Sequence, residues 1–139
     1  MREHLFRGKI FASNFWISGY FYKINDLRYL RWGERSHQVI PESVCEFTGK
    51  YLKKKQKLFE NDIVFDEIEE DEGDRRIYYV CKYVEAWGKY VFLTQGDLYC
   101  LEVGDLSNEP ELGIDDSEML HYAGTYFDNP ELLENGQQN

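Results

Sequence analysis

The densest positive charge in the sequence is Lys50, Lys53, Lys54, Lys55 and Lys57, five lysines within eight residues. A run of this kind is either a solvated turn or a patch that contacts phosphate. As a patch it would need stacking surfaces for single strands, and Tyr29, Trp32 and Tyr51 are the candidates. The opposite charge collects in Asp66, Glu67, Glu69, Glu70, Asp71, Glu72 and Asp74. Calcium is the chemistry such a run suggests. Aligning Gly73 with the invariant glycine of an EF-hand loop, however, puts Ile68 in the first ligand position and Tyr79 in the twelfth, where oxygen donors are required. His4, His37 and His121 lie far apart, without zinc-site spacing, and Cys45, Cys81 and Cys100 are scattered. The sequence holds no G-x-x-x-x-G-K-[ST], no G-x-G-x-x-G and no G-x-S-x-G. It therefore points away from an enzyme and implies no cofactor and no metal.

The elements that position these groups read as β-structure. At 139 residues, with 42% apolar and 17% aromatic residues, one domain is expected, able to bury a core without disulfides. No apolar run approaches the roughly 18 residues of a membrane helix, and the start has no apolar stretch of the signal-peptide kind. A reduced, cytoplasmic protein with no membrane partner is the expectation. Residues 77–84 are almost all β-branched, aromatic or small and apolar; Trp87-Gly88-Lys89 interrupts, and residues 90–94 resume the pattern. With a turn at Gly96-Asp97 and a further run over 98–103, the spacing predicts a three-stranded meander. Earlier, residues 5–11 and 15–22 flank a loop at Ala12-Ser13-Asn14, and Asn25-Asp26 and Gly33-Glu34 mark turns around 27–32. Pro41-Glu42-Ser43-Val44 predicts one short turn, and Asn129-Pro130-Glu131 opens a short helix before a polar tail over 134–139. The acidic segments at 66–74 and 108–118 read as exposed loops.

Charge is uneven. Residues 1–57 hold 12 Lys/Arg against 5 Asp/Glu, and residues 58–139 hold 4 against 21. A net charge of -10 disfavours non-specific nucleic-acid binding by the whole chain. The asymmetry allows a basic half to face an acidic half within one molecule or between copies, and a contact of that origin would loosen in salt.

Several segments carry a resemblance when taken in order. They are Arg2-Glu3-x-x-Phe6-Arg7-Gly8-Lys9, Trp16-x-x-Gly19-Tyr20, Pro41-Glu42-Ser43-Val44-x-x-Phe47-Thr48-Gly49, Leu58-Phe59-Glu60-Asn61-Asp62-Ile63-Val64 and Gly124-Thr125-Tyr126-x-x-Asn129-Pro130-Glu131-Leu132-Leu133. Over about residues 2–133 this order resembles the YopX family of small phage and prophage proteins. The resemblance implies a mainly β fold, with N-terminal hairpins over about 1–57 and a small SH3-like barrel over about 58–127, in a single domain with one short C-terminal helical turn. It also implies self-association, and no known activity. Where the family has Gly-Asp-Ile-Val, Asn61 stands here, a residue that tolerates positive φ; Asp62 is then expected to bond turn amides while Ile63 and Val64 enter the core. Lys53-Lys54-Lys55-Gln56 stands where the family has an Asn-Gly type of turn.

The sequence thus favours a non-enzymatic, phage-encoded accessory protein acting in assembly or protein interaction in the bacterial cytoplasm, with itself or a host protein as partner. The alternative is a nucleic-acid-associated protein using residues 50–57, or an acidic mimic of DNA.

Overall fold

The computed structural model describes residues 5–107, 109–110 and 112–135. Arg2, Glu3, His4, Asn108, Glu111 and the last four residues of the polar tail lie outside the described residues. The architecture is mainly β, as the periodicity predicts. The strands are β1 (Phe6–Lys9), β2 (Trp16–Ile24), β3 (Leu27–Trp32), β4 (Arg35–Gln38), β5 (Cys45–Tyr51), β6 (Lys57–Phe59), β7 (Asp62–Ile68), β8 (Arg75–Val84), β9 (Lys89–Leu93) and β10 (His121–Thr125). Two helices, α1 (Gln95–Glu102) and α2 (Glu131–Asn135), and three 3-10 turns complete the described chain. It divides into two compact units, residues 1–49 and 50–139.

In the first unit the strand order is β4-β3-β2-β1-β5. Tight turns set the register. Asn25, at φ 55°, and Asp26 join Ile24 to its partner Leu27; Gly33, at φ 62°, and Glu34 join Trp32 to Arg35. Both are two-residue hairpins of the kind that needs left-handed residues. Gly8 and Gly19 permit close approach. A β-carbon on Gly8 would stand 3.1 Å from Leu30 Cδ1, and one on Gly19 would stand 2.5 Å from the Arg31 carbonyl oxygen. Leu5, Leu30, Val39, Cys45 and Phe47 are buried, and Pro41 opens a 3-10 turn over Pro41–Ser43.

In the second unit the order is β10-β7-β8-β9, all antiparallel. This sheet is open, not closed into the expected barrel. Both of its faces are covered. Val64, Cys81 and Phe92 pack with Leu52, Leu58 and Leu120, whereas Ile63, Val80, Val91 and Leu93 pack with Leu133, Leu98 and Leu101. A strand buried on both faces reads as a continuous apolar run, which is the pattern of residues 77–84.

Three expectations are corrected. Residues 98–103 are not a third strand of a meander, and Cys100 is therefore not in a strand; α1 occupies that place. Thr94 Oγ1 accepts from the Asp97 N–H at 3.1 Å while Asp97 Oδ2 accepts from the Thr94 N–H at 3.1 Å. This capping box turns the expected Gly96-Asp97 turn into the first turn of a helix. The acidic segment at 66–74 is not all loop, since Asp66, Glu67 and Ile68 pair with Ile77, Arg76 and Arg75 on β8. Within 108–118, Ile114–Met119 forms a 3-10 helix, and Gly113 bridges to Val91.

Candidate functional site

The motif residues act on the backbone. Asn61 adopts φ 71°, and Asp62, fully buried, accepts at Oδ2 from the Phe59 N–H at 2.8 Å. The neighbouring amides are tied down as well: the Asn61 N–H donates to the Cys81 carbonyl and the Tyr126 N–H to the Asn61 carbonyl, each at 2.7 Å. Ile63 and Val64 are fully buried, as the turn argument requires. Phe6 packs on Phe21 with ring centroids 5.4 Å apart, and Arg7 lies 5.0 Å over the Trp16 ring. Thr48 is buried and Gly49 takes φ 86°. Gly124 and Thr125 close on Asn129, whose N–H donates to the Thr125 carbonyl at 2.7 Å before Pro130 leads into α2. These side chains shape turns and packing.

The lysine run belongs to the second unit, the one that carries the acidic segments. Counted by unit, residues 1–49 hold 7 Lys/Arg against 5 Asp/Glu, and residues 50–139 hold 9 against 21. Lys50 Nζ lies 3.2 Å from Asp115 Oδ1. Lys53 lines a cavity of about 200 Å³ with Asp66, Glu67, Glu69, Asp74, Met119 and His121. The run's charge is thus partly spent inside its own unit. Lys54 and Lys55 sit at φ 63° and 61° in a 3-10 turn, closed by the Leu52 N–H donating to the Gln56 carbonyl at 2.7 Å. Lys57 is exposed on β6, and the Tyr51 carbonyl accepts from Ser117 Oγ at 2.8 Å. Trp32, grouped with these residues in the sequence, lies in the first unit.

The base of the acidic hairpin is neutralised locally. Arg75 Nε reaches Glu70 Oε1 at 2.9 Å, and Arg76 Nε lies 3.6 Å from Glu67 Oε1. The hydrogen bond with Tyr78 raises the Arg76 pKa above its ordinary value; desolvation opposes it, and the Tyr78 and then the Glu67 charges add to the rise. His121 stacks on Phe65 with ring centroids 4.8 Å apart. Among the described residues no group of three or more His, Cys, Asp or Glu is arranged to hold a metal ion.

The β2–β3 ribbon of the first unit has one face largely in water and another that holds the buried Leu30 between exposed ends. Directly opposed residues of an antiparallel pair share a face, and alternate residues along a strand repeat it. One face therefore carries Tyr20, Tyr22 and Ile24 on β2 against Arg31, Tyr29 and Leu27 on β3. Tyr22 and Tyr29 stack at 5.2 Å, while Tyr20, Ile24 and Leu27 are 63%, 55% and 45% exposed. Arg31 holds one end of this strip, its Nε–H donating to the Gly33 carbonyl at 2.9 Å. The other face carries Ile17, Phe21 and Lys23 against Trp32, Leu30 and Arg28, continued on β4 by Arg35 and His37. Here a groove of about 380 Å³ is lined by Ile17, Ser18, Trp32, Arg35 and His37.

Of the groove residues the sequence offers Trp32 as a stacking platform, whereas Tyr29, offered with it, lies on the opposite face. Arg35 and His37 reach Trp32 through the β3–β4 register, and the Gly33-Glu34 turn is the signal that could have found them. No helix among the described residues is long and apolar enough to cross a membrane. Comparison of the chain with family models, with curated proteins and with solved structures finds no match.

Proposed function

We propose that this chain is a non-enzymatic interaction module, a phage- or prophage-encoded accessory protein of the YopX type that self-associates in the bacterial cytoplasm. The observation that carries the reading is the strip formed by Tyr20, Tyr22, Ile24, Leu27 and Tyr29. It is a contiguous aromatic and aliphatic surface on a two-stranded ribbon, left largely in water. Surfaces of this kind are costly to leave exposed and mark contacts with other macromolecules. A second copy is the occupant we assign. The strip is built of rings and branched aliphatics that match their own kind, and tyrosines contribute large contact area at low entropic cost. The resemblance to a self-associating family supports the same choice. Charge is the weaker candidate for the contact, because the lysine run lies in the acidic unit and Lys50 is already paired.

The test is size-exclusion chromatography with light scattering over roughly 1–100 µM, at low salt and in about 0.5 M salt. The reading expects an oligomer that survives the salt, and dissociation to monomer in the Ile24→Asp, Leu27→Lys double variant. Both side chains are solvent-exposed at the hairpin tip, so the variant keeps its fold. A wild-type monomer throughout, or a double variant with unchanged mass, overturns the proposal.

A further inference from the structure

We infer that the groove between Ile17, Trp32, Arg35 and His37 is a stacking subsite for single-stranded nucleic acid. It lies on the face of the β2–β3 ribbon opposite the strip assigned to self-association, so either reading can fail without the other. Three observations converge on it. Trp32 is 66% exposed, an unusual state for an indole, at the end of a strand whose neighbour holds Ile17. Arg35 is the direct cross-strand partner of Trp32, and His37 follows two residues on. Arg28 and its partner Lys23 extend the same face, so cations recur along it at two-residue steps of about 6.8 Å or multiples of them.

An aromatic plane flanked by cations suits a base stacked on the indole with its phosphates on the guanidinium and ammonium groups. On this face Glu46, opposite Phe6, stands against Lys23, Arg28 and Arg35, while Asp26 and Glu34 lie in the turns at either end of β3. A purely apolar occupant would leave these cations without a counter-charge, which disfavours a greasy peptide. A duplex offers no free base to the indole, so the occupant is an unpaired strand. The cations invoked differ from the lysines at 50–57, and the two origins of binding are separable by mutation.

The experiment is fluorescence anisotropy of a labelled oligothymidine of roughly 12 nucleotides with the full chain, at about 50 mM salt and again at about 200 mM. The expected result is micromolar binding that weakens steeply with salt. Trp32→Ala and Arg35→Glu each weaken it tenfold or more, while Trp32→Phe retains most of it. A Lys53→Glu, Lys54→Glu, Lys55→Glu triple variant stays within twofold of wild type, and a duplex of equal length binds at least tenfold more weakly. Circular dichroism melting checks folding; should Trp32→Ala melt early, Trp32→Phe and Arg35→Glu carry the comparison. The inference is overturned by no anisotropy change at about 100 µM protein, by binding indifferent to Trp32→Ala and Arg35→Glu, or by loss confined to the lysine variant. It is equally overturned if an acidic aromatic peptide displaces the oligonucleotide at equal concentration.

Discussion

Gly124 and Asn129 are held against each other so closely that a β-carbon on Gly124 would stand 2.5 Å from Asn129 Oδ1 and 3.0 Å from its Cγ. The contact belongs to a small clasp. Asn129 Oδ1 accepts from the Thr125 N–H at 3.4 Å, the Asn129 N–H donates to the Thr125 carbonyl at 2.7 Å, and Thr125 Oγ1 accepts from the Asp128 N–H at 3.0 Å. The clasp reverses the chain between β10 and α2 and sets Leu133 into the core.

Gly124→Ala is therefore expected to destabilise the protein by about 1–3 kcal/mol, since the whole Asn129 side chain must move. In an Asn129→Ala background the same change should cost less, with a coupling of about 1 kcal/mol in a double-mutant cycle by urea denaturation. Additive costs would mean that the clasp does not act as a unit.

Thr94→Ala removes one arm of the capping box that starts α1. An eight-residue helix has little stability of its own, so its cap and its packing through Leu98 and Leu101 hold it. The expected loss is about 1 kcal/mol, accompanied by faster amide exchange in α1 than in β8. Equal exchange in both elements would show that the helix opens only with the whole unit.

The same element shows where sequence reading works and where it stops. The hairpins at Asn25-Asp26 and Gly33-Glu34 were legible because a two-residue turn is a local event, fixed by residues that accept positive φ. Asn61 and Asp62 were legible for the same reason. Helix α1 was not, because Leu98, Tyr99, Cys100 and Leu101 form an apolar run too short to show a period. Its signal lay upstream, in the Thr94-x-x-Asp97 spacing. The groove was half legible. Trp32 stood out by type, but Arg35 and His37 join it only through strand pairing, which composition does not reveal. The lysine run misled in charge terms, because Asp115, which pairs with Lys50, and the carboxylates that share a cavity with Lys53 are distant in sequence and near in space.

Asp105 follows α1 and accepts at Oδ1 from both the hydroxyl and the N–H of Ser107, at 2.6 and 3.1 Å. The side-chain hydrogen bond first, and the backbone one second, hold its carboxyl below the ordinary 3.8. A depressed folded-state pKa contributes stability that is present above 3.8 and is lost as pH falls through the lower folded value. Ser107→Ala should move the Asp105 titration, followed by NMR of its carboxyl carbon, up towards 3.8. A midpoint unchanged by the substitution would show that Ser107 does not hold the charge.

Lys54 and Lys55 separate conformation from charge in the segment that looked most functional. Both adopt left-handed backbone angles, 63° and 61° in φ, which cost a lysine about 1 kcal/mol each and a glycine nothing. Lys54→Gly should accordingly stabilise the protein by about 0.5 kcal/mol once the greater freedom of glycine in the unfolded chain is set against the relief. Lys54→Ala removes the same charge but keeps the β-carbon, and should bring no such gain. If alanine stabilises as much as glycine does, repulsion among the lysines is the cause and the backbone argument fails. The pair of variants also bears on recognition. A Lys54→Gly, Lys55→Gly protein that binds oligothymidine as wild type does places recognition outside this turn, whereas one that loses binding returns it to the lysines.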